Sequence, residues 1–249
     1  MALQRCLFLN VAILLLSTTF GICCFSAEKI QIITYKIEGL HQDDKMGKYD
    51  SVLSEVLPHE FHYSYQVAPP KRALRMFEQC KICCLSPMND NPEFYDYAET
   101  LGAIQLPAYN SAVAYLFSQK DREPIKNVDM LAGKTIALQA GMSFGKTFIK
   151  NIKALNITTV QVQDFDSLFK MLELNRVDAV AAYTPDALLY FKNRNLSVFP
   201  YSKSNPIVIH EDALLCKNVS PEFLKIYRSN MTLFVKSEKF NVLFGSSTM

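Results

Sequence analysis

The chain predicts an α/β fold, and three observations carry that expectation. Short runs rich in Ile, Val, Tyr and Phe read as strands. Between them lie stretches with apolar residues at helical spacing. The two kinds alternate almost throughout, the pattern of parallel sheets covered by helices. A length of 249 residues is enough for one large core or two smaller ones.

The elements follow in order. Residues 30–35 (IQIITY) read as a strand, and 47–57 place Val52, Leu53, Val56 and Leu57 on one helical face. Residues 61–67 alternate as a strand. Pro69-Pro70 stop it, and a helix opens at Lys71. Residues 81–86 (KICCLS) read as a short buried strand, followed by the loop PMNDNPEFYD. A second unit begins near residue 112 with the strand AVAYLFS. A helical turn, Gly133-Lys134 and a strand come next, and GMSFGKTFIKNIKAL turns directly into a helix near Phe144. TTVQVQ is a strand, 165–175 a helix, and RVDAVAAY a buried strand. The next helix takes Thr184 as N-cap with Pro185 at the first position. LSVFPY reads as a strand, IVIHEDALLCK as another, and Ser220-Pro221 open a final helix.

Composition removes several function classes. Apolar residues make up 49% and charged residues 20%, with a formal net charge of +2 and no run of Lys or Arg. Neither nucleic acid nor an acidic membrane surface is an expected partner. Residues 1–27 are different in kind: Arg5, then an apolar stretch from Cys6 to about Leu16, then small residues ending at Ser26-Ala27. This reads as a signal peptide, too short for a membrane span. A lipid anchor at Cys23 or Cys24 is the alternative, although Phe20-Gly21-Ile22 fit a lipoprotein signal poorly. Export leaves Cys80, Cys83, Cys84 and Cys216, and an oxidising compartment favours up to two disulfides. Cys80-x-x-Cys83 also fits a redox or metal pattern, but no His lies near it in sequence, so a structural role is expected and no metal or cofactor.

Three segments, KRALRMFEQCKI, LAGKTIALQAGMSFGKTF and LELNRVDAVAAYTPDALLYF, resemble the type II periplasmic solute-binding proteins. The likeness is to extracellular family 3, the amino-acid receptors of ABC transporters. The resemblance covers essentially the whole chain after residue 27. It implies two α/β lobes joined by two crossing strands, with a cleft between them. Lobe 1 would be residues 28–110 plus 206–249, and lobe 2 residues 111–205. It also implies that the returning strand lies beside KICCLS, so Cys216 pairs with Cys83 or Cys84, with Cys84 preferred. A periplasmic, monomeric protein that binds a small-molecule solute and meets a membrane permease is the corresponding functional expectation.

The resemblance places the cleft residue by residue. Ser143 and Phe144 lie where a strand meets a helix start, and free amide groups there attract anionic or carbonyl oxygens. Tyr35, Arg72, Asn89 and Tyr109 are further wall candidates at the strands' carboxyl ends and the crossing. Two departures matter. The family's carboxylate-clamping Arg is replaced by Asn91, and its ammonium-binding Asp by Tyr183. A charge-assisted hydrogen bond contributes roughly 1.5–3 kcal/mol. A helix terminus contributes only about 0.3–1 kcal/mol. A free α-amino acid is therefore a poor expected ligand, and a neutral, hydroxylated or aromatic solute a better one.

Rival readings are weaker. AGMSFGKT (Ala140–Thr147) fits the loose phosphate-loop pattern, but its first residue is Ala and an exported chain meets little ATP. Some relatives of the family are dehydratases, and Asp90, Glu93 and Asp96 offer carboxylates, yet no GxSxG or HExxH occurs. A sensor or accessory protein on the same fold is the remaining alternative. No enzymatic activity is expected.

Overall fold

In a computed structural model, which describes residues 29–245, one curled mixed sheet runs through both halves of the molecule. The signal-peptide expectation falls outside the described residues. The first half is built from β1 (Ile30–Tyr35), α1 (Lys48–Val56), β2 (Tyr63–Ala68), α2 (Pro70–Gln79), β3 (Cys83–Met88), α3 (Tyr97–Leu101) and β4 (Ile104–Gln105). The second half holds β5 (Asn110–Ser118), a 3-10 turn at Val128–Leu131, β6 (Thr135–Gln139), α4 (Lys146–Ala154), β7 (Thr158–Val162), α5 (Phe165–Glu173), β8 (Ala179–Tyr183) and α6 (Thr184–Asn193). The chain then returns through β9 (Val208–Lys217) and ends in α7 (Pro221–Phe234) and α8 (Glu238–Phe244).

The strand order is β2-β1-β3-β9-β5-β8-β6-β7, with β4 on the side of β9. β1 pairs in parallel with β2 and β3, and β6 pairs in parallel with β7 and β8. The middle of the sheet, where the strands cross between the halves, is antiparallel: β9 runs against β3, β4 and β5, and β5 against β8. The reason is topological, because a chain that leaves one half and comes back must cross in both directions. β9 is shared. Val208 to Asp212 pair with β5, and Ala213 to Lys217 lie against β3. These are the two crossing strands of a two-lobed type II periplasmic-binding-protein fold.

Each half has its own apolar interior. In the first, α1 packs against α7 and buries Tyr49, Val52, Leu53 and Val56 in the shared core. Pro70 at N1 of α2 has no N–H to leave unpaired, so the helix starts there, one residue before Lys71. α2 then buries Ala73 and Phe77. Burying such a Phe stabilises by about 1.5–3 kcal/mol. In the second half, β8 (AVAAY) is buried on both faces: Ala179, Ala181 and Tyr183 pack on one side, Val180 and Ala182 on the other. A strand covered on both sides reads as a continuous apolar run for this reason.

Cys84 and Cys216 lie directly opposite in the β3–β9 register and are joined as a disulfide. Cys80 and Cys83 form a second, local one. Several local expectations are corrected. The strand read at 81–86 lies at Cys83–Met88, with a register shift between Leu85 and Met88, where Pro87 has no N–H to donate. LSVFPY is no strand. Tyr201 makes an isolated bridge to Phe117, Pro200 breaks the ladder, and Leu196 and Val198 face solvent. α4 begins at Lys146, because Gly145 has φ +85°. Thr184 lies inside α6, and its hydroxyl donates to the Val113 carbonyl at 3.0 Å instead of capping the helix.

Candidate functional site

The carboxyl ends of β1, β3, β6 and β8 converge where the halves meet. β1 delivers Tyr35 there, β3 delivers Met88, the turn after β6 delivers Ser143, and β8 delivers Tyr183. The first turn of α6 adds Asp186, and the middle of β9 adds Asp212. Together they line an inner cavity of about 30 Å³, room for one or two waters. A wider cavity of about 500 Å³ opens beside it, bounded by Pro69 and Pro70 from the first half and Gln139, Phe165 and Tyr190 from the second. Asp186 lines both.

Four tyrosines, Tyr35, Tyr49, Tyr95 and Tyr183, share the inner wall with apolar residues. The Tyr183 hydroxyl donates to the Ser143 carbonyl at 2.7 Å, and its ring stacks on Phe144 at 5.4 Å. The Tyr35 hydroxyl points to the Met88 sulfur at 3.5 Å. Tyr95 stacks on Tyr97 and reaches the Gly141 carbonyl at 3.4 Å. Burial pushes the Tyr95 phenol up to about 12. Burial, then the neighbouring Tyr95 ring, raises Tyr35. Burial, then Asp212, raises Tyr183. All three phenols are therefore neutral donors at physiological pH. Asp212 is well supplied: the Tyr49 hydroxyl donates to it, His210 Nδ1 lies at 3.0 Å, and Asn110 Nδ2 at 3.5 Å.

Residues from both halves meet around this centre. The N-terminus of α4 does not offer its amides freely. The Lys146 N–H donates to the Glu93 carbonyl at 2.8 Å, and the Thr147 N–H to Glu93 Oε1 at 2.6 Å. Lys146 Nζ pairs with Asp96 at 2.7 Å. At the opposite rim Arg194 pairs with Glu38 at 3.1 Å and with Asp166 at 3.0 Å. Gly141 approaches the backbone of Lys71 so closely that a Cβ would collide with it.

The sequence candidates divide into three groups. Tyr35, Ser143 and Tyr183 line the inner cavity. Phe144 is buried behind Tyr183 in the second core. Tyr109 sits deeper in the first core, its hydroxyl 2.6 Å from Ser86 Oγ and its ring edge-on to Tyr49. The two asparagines serve their loop: Asn89 Nδ2 ties it to β9 by donating to the Glu211 carbonyl at 3.2 Å, and Asn91 Oδ1 accepts the Glu93 N–H at 2.9 Å. Arg72 is exposed on α2. Of the acidic loop, Glu93 and Asp96 are engaged with α4, and Asp90 is exposed.

Sequence reasoning missed Tyr95, Asp186 and Asp212. It also missed a buried chain in which His41 bridges Asp50 at 2.7 Å and Ser86 at 2.8 Å. That order of groups resembles a hydrolytic triad, but Ser86 is fully buried and its hydroxyl faces Tyr109, so no substrate carbonyl reaches it in this state. Among the described residues no group of three or more His, Cys, Asp or Glu could hold a metal ion, and no helix is long and apolar enough to cross a membrane.

Comparison with known proteins agrees with this architecture. No family model and no curated protein sequence matches the chain. Solved structures do. An engineered variant of the arginine-binding protein ArgBP from T. maritima superposes with a TM-score of 0.67 at 16% identity, covering 88% of this chain and 94% of that one. The GluR0 ligand-binding core with L-glutamate gives 0.66 at 14% identity, covering 89% and 98%. AncCDT-1, an ancestral amino-acid-binding protein described as a precursor of cyclohexadienyl dehydratase, gives 0.66 at 13% identity, covering 88% and 94%. The chain shares the two-lobed fold of these solute-binding proteins.

Proposed function

We propose that the protein is an exported, monomeric solute-binding protein of the periplasm, without enzymatic activity, that closes two lobes on a small polar solute and presents it to a membrane permease. Lobe 1 would comprise residues 28–110 with 206–249, and lobe 2 residues 111–205. The observation that carries the reading is the cavity between the halves, at the carboxyl ends of strands from both, next to the two strands that join them. Such a site couples occupancy to closure, since a solute touching both walls favours the closed state.

A free α-amino acid suits this site poorly. For its carboxylate, Asn91, at the position where the resemblance implies an Arg, accepts the Glu93 N–H and lines neither cavity, and the α4 amides already hold Glu93. At the position where the resemblance implies an ammonium-binding Asp stands the Tyr183 phenol, engaged with Ser143. Of the carboxylates that a dehydratase reading would use, Glu93 and Asp96 are tied to α4, and Asp90 is exposed.

The test is thermal-shift screening against sugars, organic acids, peptides and amines, followed by small-angle scattering with each hit. At a hundredfold excess over Kd a ligand adds about 2.7 kcal/mol to stability. A rise in Tm with a compacted particle is expected for at least one class. Hits that leave the particle unchanged in size would overturn lobe closure, and turnover of a cyclic acid would overturn the non-enzymatic reading.

A further inference from the structure

We propose that the cavity between the halves takes an aliphatic amine cation, with the Asp186 carboxylate as its counter-ion. This deepens the solute-binding reading and rests on it. Asp186 is only 7% exposed, and it makes no hydrogen bond or ion pair among the described residues. Its side chain lines the inner and outer cavities at once. A buried carboxylate without a partner is strongly unfavourable, so proteins pair such groups or let them take a proton. Burial, and secondarily Asp212, raise the Asp186 carboxyl above the ordinary range, as expected for an acid lacking a cation.

The surroundings select the partner's chemistry. Asp212 gains its hydrogen bonds from within the protein, which leaves Asp186 as the unsatisfied acid. Tyr35, Tyr95 and Tyr183 place aromatic rings around the inner cavity, and ring faces attract ammonium groups. The outer cavity is lined by six carboxylates (Glu38, Asp43, Asp44, Asp164, Asp166, Asp186) against two basic side chains, Lys36 and Arg194. Arg194 is already paired with Glu38 and Asp166. A cationic head in the inner cavity and a chain bearing a second amine in the outer one fit this field. A ligand carboxylate there would be repelled, which separates a simple amine from an amino acid.

Calorimetric titration of the purified protein with butylamine, putrescine and spermidine tests the idea, with glucose and L-glutamate as neutral and acidic comparators. The amines should bind and the comparators should not. Asp186→Asn should weaken amine binding by roughly 10- to 150-fold, the loss of one charge-assisted contact. Glu99→Gln, exposed on α3, should leave it unchanged. Because Asp186 has no internal partner to lose, the Asn variant should melt no lower than the parent; Asp186→Ser, read the same way, serves if it does. Amine affinity equal in parent and both variants would overturn the assignment. Binding of glucose or glutamate alone would sink the cation inference and leave the solute-binding reading standing. Binding of none of the five would refute the amine, and a silent broad screen would refute both.

Discussion

At Asp186 an acid without a counter-ion adds one component of stability that falls as pH rises. Its folded-state carboxyl is raised by burial and by Asp212, so the native state holds the proton more tightly than the unfolded chain does. Stability from this group is complete below the unfolded carboxyl range and falls as pH rises through the raised native value. Asp212 and His210 face the same inner cavity, and Lys36 and Arg194 the outer one. Asp186→Asn should flatten that decline and raise neutral-pH stability by about 1–3 kcal/mol, measured as Tm against pH with and without the substitution. An unchanged slope would remove the effect. Gly141 carries a different constraint. Its φ of +86° and its closeness to Lys71 leave no room for a side chain. Gly141→Ala should keep each half folded but hold the halves apart, read as a larger radius of gyration and weaker solute binding. The resemblance named Tyr35, Ser143 and Tyr183 as wall candidates, and all three line the inner cavity. Sequence reading passed over Asp186 because an acid in a helix's first turn is ordinary complementarity to the dipole. Which face of that turn is buried depends on packing, and Asp212 is likewise unremarkable until β9 is known to bridge the halves.

Among the elements, α4 shows how one half can cap a helix in the other. Glu93, from the first half, satisfies two of its leading N–H groups. Glu93→Ala should cost about 0.5–2 kcal/mol of closed-state stability, on the scale of a lost N-cap. Scattering of the variant without solute should report a more open particle. No change would mean that other contacts suffice to keep it shut. α7 offers a comparison within one lobe: Ser220 Oγ accepts the Phe223 N–H at 3.1 Å. That cap was legible as Ser-Pro before an apolar run, because its donor and acceptor are neighbours in sequence. Glu93 lies far from α4 along the chain, so no local rule could join them. Strands were legible where their faces were uniform, as in AVAAY, and misread where Pro200 interrupts an apolar run. α3, β4 and α8 are short, and their form is fixed by tertiary contacts more than by their own periodicity.

For the whole molecule, the class was readable from alternation, while the two-lobed arrangement came only from resemblance. Local periodicity cannot say that the chain returns to its first half, and that return is what makes the middle of the sheet antiparallel. The Cys84–Cys216 disulfide locks it. Its cysteines are 132 residues apart, and the loop closed between them contains the entire second half. Replacing both with Ser should therefore cost about 3–5 kcal/mol, seen as a lower urea midpoint, whereas the Cys80–Cys83 pair, three residues apart, should matter far less. β9 has a further consequence. Asp212 is the last of its residues to pair with β5, and the strand passes to β3 just beyond it. Under the proposed closure the guest chamber is floored by the pivot itself, so whatever rests there would push on the axle, and the angle of the jaws would gauge the shape of what they hold.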